Sequence, residues 1–129
     1  MNRKQFIATC ACGLLAGCAG TKYLTAPIEG DSLVVPAEAF LEKKYIVVEN
    51  DQLEYPICLY RFSETEYSAL LMKCTHQGTE LQVFGDRLQC PAHGSEFTNT
   101  GKVQNGPADR PLRTFKVTAI DQQIKIKLS

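Results

Sequence analysis

Phe115-Lys116-Val117-Thr118-Ala119-Ile120-Asp121-Gln122-Gln123-Ile124-Lys125-Ile126-Lys127-Leu128 is the stretch that sets the fold class. Phe115, Val117 and Ala119 alternate with polar residues, as do Ile124, Ile126 and Leu128, and Asp121-Gln122-Gln123 separates the two runs. Successive side chains leave a strand on opposite faces, so this alternation reads as two half-buried strands, Phe115–Ile120 and Ile124–Leu128, joined by a turn. One wet face and a short connection make them antiparallel.

Upstream, further short runs rich in β-branched and aromatic residues lie between turn residues: Ser32–Val35, Tyr45–Glu49, Ile57–Phe62, Tyr67–Lys73, Leu81–Phe84 and Arg87–Gln89. Gly85-Asp86 separates the last two as a hairpin turn would. Pro36 to Leu41 has room for one short helical turn, and nothing else argues for helix. Short strands in such succession predict an all-β antiparallel sandwich or barrel. There is no internal repeat and no low-complexity tract.

With 129 residues the chain is long enough for one domain and short for two. Its 14 Lys+Arg against 14 Asp+Glu leave no basic face for nucleic acid. No apolar run approaches the ~20 residues of a membrane-spanning helix. The distinctive feature is six Cys set beside only two His.

The N-terminus accounts for three of the Cys. Asn2-Arg3-Lys4-Gln5 is a short positive segment, and Phe6 to Gly17 is an uncharged, mostly apolar run, the anatomy of an export signal. It ends in Leu15-Ala16-Gly17-Cys18, which resembles a bacterial lipobox. The resemblance implies lipid on the Cys18 sulfur and cleavage before it, hence a signal peptide at residues 1–17. At ~0.8 kcal/mol per buried CH₂, two or three acyl chains anchor a protein to a membrane permanently. Arg3-Lys4-Gln5-Phe6-Ile7 also resembles a twin-arginine export motif with Lys for the second Arg. Cleavage would remove Cys10 and Cys12 together with Arg3 and Lys4, leaving 12 basic and 14 acidic residues and a net charge of −2. Residues 18–31 then read as a lipid-anchored tether, whose 13 residues after Cys18 could extend ~40 Å, and residues 32–129 as the folded domain.

Both His of the chain follow a Cys: Cys74-Thr75-His76, then, with 13 residues between, Cys90-Pro91-Ala92-His93. Cys pairs in exported domains usually form disulfides, but a disulfide has no use for imidazole, so a His beside each Cys argues for metal. Two thiolates and two imidazoles suit tetrahedral zinc, or a [2Fe–2S] cluster with both His on one iron. Zinc fingers pair like ligands within each knuckle. Here each segment offers one Cys and one His, which lets each give a ligand to either iron of a cluster. Cys58, inside Ile57-Cys58-Leu59, reads as a small core residue.

Cys74-Thr75-His76-Gln77-Gly78 and Cys90-Pro91-Ala92-His93-Gly94-Ser95 resemble the two cluster-binding boxes of the Rieske iron–sulfur proteins. Gly101-Lys102-Val103, Gly106-Pro107-Ala108 and Pro111-Leu112 are similar to the stretch after the second box, with its proline loop. The resemblance implies a β-sandwich base with a small cluster-binding subdomain. It implies one [2Fe–2S] cluster, with Cys74 and Cys90 on one iron and His76 and His93 on the other, nearer solvent. The resemblance further implies a cluster environment of Gln77, Gly78, Gly94, Ser95, Phe97, Gly106 and Pro107, the glycines through close approach or positive φ. Thr79 and Ala92 stand where high-potential members carry a second Cys pair, so the loop-bridging disulfide is missing. Phe97 replaces a Tyr that would donate to a cysteine sulfur, whereas Ser95 can still donate to a bridging sulfide. Donors near sulfur stabilise the more negative reduced state, so losing one of two implies a potential in the middle of the Rieske range of about −150 to +300 mV. Each cluster imidazole keeps one nitrogen free to ionise, which implies a potential that falls as pH rises.

Both His are spent on the cluster, so no mononuclear iron site of an oxygenase remains in this chain. The sequence therefore predicts an electron carrier rather than a catalyst, lipid-anchored outside the cytoplasm. Its exposed edge around Gln77, His93 and Pro107 would dock redox partner proteins. A structural zinc lipoprotein acting as an interaction module is the rival of a different class.

Overall fold

The computed structural model describes residues 23–129; Cys18 and the segments read as signal peptide and lipobox lie outside them. Twelve strands form among the described residues: β1 (Leu24–Thr25), β2 (Ile28–Glu29), β3 (Ser32–Pro36), β4 (Tyr45–Glu49), β5 (Ile57–Arg61), β6 (Tyr67–Leu71), β7 (Gln82–Phe84), β8 (Arg87–Gln89), β9 (Glu96–Thr98), β10 (Val103–Asn105), β11 (Thr114–Ile120) and β12 (Gln123–Lys127). A single 3₁₀ turn, Ala37–Ala39, occupies the segment expected to turn helically. No helix among these residues is long and apolar enough to cross a membrane.

Eight strands form the base in the order β1-β4-β5-β6-β11-β12-β3-β2, and four form a small sheet in the order β10-β9-β8-β7. β11 and β12 pair antiparallel, with Val117 opposite Ile126 and Ala119 opposite Ile124. The base curls so that Leu33, Val35, Ile124 and Ile126 of its later strands pack against Ile46, Val48, Ile57 and Leu59 of β4 and β5. The opposite face of β4–β6, through Val47, Cys58, Tyr60 and Leu70, packs against Leu81, Leu88 and Phe97 of the small sheet. Covered on both sides, β5 reads as the near-continuous apolar run Ile57-Cys58-Leu59-Tyr60. β12 is covered on one side only, and its residues alternate buried and exposed.

Two expectations are corrected. Part of the stretch read as tether belongs to the base: β1 pairs parallel with β4, β2 pairs with β3, and Ala26 is buried. The Asn50 side-chain amide donates to the Ala26 carbonyl at 2.8 Å, and the Val34 N–H to the Pro27 carbonyl at 3.0 Å. Leu24, Ala26 and Ile28 carry an inward period of two, but Pro27 interrupts it and each strand has only two residues. β9 and β10, three residues each, were likewise too short and too polar to read as strands.

Candidate metal centre

Cys74 and Cys90 open two loops closed by the same hydrogen bonds. The Cys74 N–H donates to the Thr79 carbonyl at 2.8 Å, and the Gly78 N–H to the Cys74 carbonyl at 2.8 Å. In the second loop the Cys90 N–H donates to the Ser95 carbonyl at 2.8 Å, and the Gly94 N–H to the Cys90 carbonyl at 2.9 Å. Each loop turns through a left-handed glycine, Gly78 at φ 76° and Gly94 at φ 80°, a conformation that costs an L side chain about 1–2 kcal/mol. The expected freedom of Gly106 is not of this kind: its φ is not positive, and a Cβ there would come no closer than 3.9 Å to its neighbours.

This closure sorts the four donors by depth. Cys74 and Cys90 are buried at 1% exposure each, whereas the imidazoles of His76 and His93 are exposed. The two rings lie edge to face with centroids 5.5 Å apart. Cys58, Cys74 and Cys90 are all free thiols, and nothing bridges the loops covalently at Thr79 and Ala92. Burial pushes the Cys90 thiol up, but the backbone N–H groups of His93 and Ala92, with the Cys74 thiol and the Thr79 hydroxyl, stabilise its thiolate, and its pKa is lowered on balance. By contrast, burial pushes the Cys58 thiol up to about 12, so it stays a protonated core residue.

Ser95 is fully buried, and its Oγ accepts the Ala108 N–H at 3.0 Å, which ties the second loop to the proline loop. No acceptor among the described residues receives the Ser95 hydroxyl hydrogen, which remains available to an acceptor in the site. Phe97, fully buried, supplies packing and no donor. Gln77, Gly106 and Pro107 are exposed around the His pair, and Gly78 and Gly94 are half-buried.

The first loop has two supports that no motif announces. Tyr55 Oη donates to the Gly78 carbonyl at 2.6 Å, and Lys73 Nζ lies 5.4 Å from the centre of the Tyr55 ring. Thr75 Oγ1 donates to the Arg110 carbonyl at 2.8 Å, while Arg110 Nη2 donates to the Thr75 carbonyl at 3.0 Å. Beside these contacts Lys73, Cys74, Thr75, Gly78, Arg110 and Pro111 line a cleft of ≈ 330 Å³.

Two buried thiols below two exposed imidazoles, with donors already aimed at sulfur, match a polar, electron-accepting centre at a protein edge. Family comparison agrees: the Rieske [2Fe-2S] domain model matches residues 30–116, and the chain belongs to that family. A Rieske domain binds one [2Fe–2S] cluster, so the chain holds one such cluster. The chain is 30% identical over 115 residues, 88% of its length, to the cytochrome b6-f complex iron-sulfur subunit 1 of Synechocystis sp. PCC 6803. It spans 52% of that relative, about half its length. Among solved structures it is similar to the plasma membrane Rieske protein PetC3 from Synechocystis PCC 6803, with a TM-score of 0.62 and 31% identity over 73% of this chain and 97% of that one. The ferredoxin–oxygenase complex of carbazole 1,9a-dioxygenase shares the fold, with a TM-score of 0.57 and 23% identity over 74% of this chain and 90% of that one.

Proposed function

We propose that the chain carries one electron outside the cytoplasm, anchored by lipid on Cys18. In this reading Cys74 and Cys90 hold one iron of the cluster, and His76 and His93 hold the other. The observation that carries it is the pair of equivalent loops, each burying its Cys and presenting its His at the surface, with the imidazoles 5.5 Å apart. The bound cluster supplies a one-electron couple. Two ferric ions, two sulfides and two thiolates would sum to zero charge, so the couple supplied would start from a neutral oxidised centre, unlike that of a cluster with four thiolates.

The chain's own residues do the rest. The N–H groups of Ala92 and His93 favour the Cys90 thiolate, and Ser95 offers a proton to sulfur while its oxygen holds the proline loop. Phe97, Leu81 and Leu88 exclude water from the inner side. Gln77, His93 and Pro107 form the exposed edge where a redox partner docks, and the exposed imidazoles shorten the electron's path to it.

Metal analysis with a visible and paramagnetic resonance spectrum of the purified protein tests this reading. Two irons per chain, a red-brown colour and a low-average-g signal on reduction are expected. One zinc and a colourless protein would instead establish the interaction-module alternative.

A further inference from the structure

Four of the five large apolar side chains exposed among the described residues lie at one pole of the fold: Leu41 at 77%, Ile120 at 58%, Phe84 at 53% and Phe62 at 47%. Register places them together. β4 begins at Tyr45, opposite Tyr60 of β5, and the hairpin from β5 to β6 closes beyond that pair, where the Phe62 N–H donates to the Glu66 carbonyl. Phe62 stacks on Tyr60, and Tyr60 Oη donates to the carbonyl of Gly85, next to Phe84. β11 leaves the Leu70 end of β6 and runs antiparallel to it, so Ile120 reaches the same pole. Leu41 lies in the segment that enters β4, whose Lys44 carbonyl accepts the Arg61 N–H. The candidate metal centre is at the other pole, where β4 runs out toward Tyr55 and its bond to Gly78.

The direction of β1 supplies a second, independent observation. β1 pairs parallel with β4, Leu24 opposite Val48 and Thr25 opposite Glu49, so the chain enters the sheet running from the apolar pole toward the metal pole. Four residues lie between Cys18 and Tyr23, five backbone steps with a reach of at most ~18 Å. Tyr23 itself is held on the domain, its hydroxyl donating to Glu80 at 3.1 Å. The reach left to the tether is therefore less than half of the ~40 Å that thirteen free residues would allow.

Resting on the lipid-anchor reading above, we infer that the apolar pole is a bilayer-contacting face that turns the cluster loops toward the aqueous side. Leu41, Phe62, Phe84 and Ile120 enter the interfacial region, where rings and aliphatic chains leave water without needing to cross the membrane. Charge does not drive the contact: Lys43, Lys44, Arg61 and Arg87 at this pole are outnumbered by Glu42, Glu64, Glu66, Asp86 and Asp121. A neutral lipid surface suffices, and the partner meets the cluster from the water side.

The chain contains no Trp, so one introduced indole reports its own surroundings. Phe62→Trp, Ile120→Trp and, at the metal pole, the exposed Glu54→Trp are made in the full-length, cluster-loaded protein. Each is reconstituted into phosphatidylcholine vesicles with and without brominated acyl chains, and the ratio of the two emissions cancels quenching by the cluster. Mass spectrometry first reads lipid on Cys18; an unmodified Cys18 sinks the anchor reading, and this inference with it. With lipid present, loss of emission to bromine for F62W and I120W but not E54W is expected, unchanged by salt. Equal ratios for all three, or loss at E54W alone, overturn the orientation while leaving the anchor standing. An unchanged visible spectrum in each variant confirms that the fold is intact.

Discussion

Thr75 and Arg110 exchange hydrogen bonds across the gap between the first metal loop and the segment after the proline loop, side chain to carbonyl in both directions. Neither residue is a ligand candidate, and 34 residues lie between them in sequence. The pair ties together two loops that no disulfide joins. Net hydrogen bonds of this kind contribute about 0.5–1.5 kcal/mol, and the exposure of Arg110 puts these near the lower end. Thr75→Val and Arg110→Ala should each speed cluster loss to a chelator by a few-fold, and the double variant by less than the product, because the bonds share partners. Wild-type retention in both single variants would show that the pair does not hold the loop.

Ser95 makes a second link, and its loss should be read in the potential. Ser95→Ala removes a buried hydroxyl whose hydrogen no acceptor among the described residues receives. At about 1 kcal/mol for a donor to sulfur, and about 59 mV per tenfold for one electron, the potential should fall by roughly 40 mV or more. Phe97→Tyr should raise it by a comparable amount if the new hydroxyl reaches sulfur, at some cost in stability if it does not. Protein-film voltammetry on both variants measures the shifts; a potential unmoved by S95A contradicts the donor role.

Gly94 and Gly106 should respond differently to the same added methyl group. Gly94 sits at φ 80° with open space around its Cβ position, so Gly94→Ala carries backbone strain alone, about 1–2 kcal/mol. Gly106→Ala meets nothing closer than 3.9 Å and has no positive φ, so it should be close to neutral. Thermal unfolding of the two cluster-loaded variants decides between these outcomes; equal losses would contradict the geometry.

Alkaline pH should destabilise the core through Cys58 and Tyr60. Burial raises the Cys58 thiol from 9.0 to about 12, and burial followed by the charge of Cys58 raises the Tyr60 hydroxyl above its usual 10.0. Both groups stay protonated in the folded chain at pH values where the unfolded chain has released its protons. Their contribution is complete below about pH 9 and is lost as pH climbs through the folded values. Denaturant midpoints should therefore fall above about pH 9. In Cys58→Ala the decline should be shallower and begin nearer pH 10, where Tyr60 takes over. An identical pH profile in C58A would count against the buried thiol as a source.

The alternation at Phe115–Leu128 and the apolar runs at β4, β5 and β6 made the all-β class legible, because strand burial writes a local pattern. The Cys-His spacing made the metal centre legible for a similar reason: ligand chemistry restricts residue type at a few positions. β1 and β2 were not legible, since two-residue strands carry no pattern; β1 gains its order from Asn50 and β4, more than twenty residues away, and β2 from its pairing with β3. Tyr55 was equally silent, as a phenol in a loop becomes a support only when folding brings it to Gly78.

By itself the sequence determined the fold class and brought forward four candidate donors and the glycines Gly78, Gly94 and Gly106, all from short-range chemistry; of those glycines, the structure kept the left-handed turn for Gly78 and Gly94 only. Only the tertiary structure decided which donors lie deep and which reach water, how the proline loop is tied down, and where the chain enters the base. It also decided that the exposed apolar side chains gather opposite the metal loops. These are relations between distant segments, set by the pairing of strands and the covering of both faces of β4–β6.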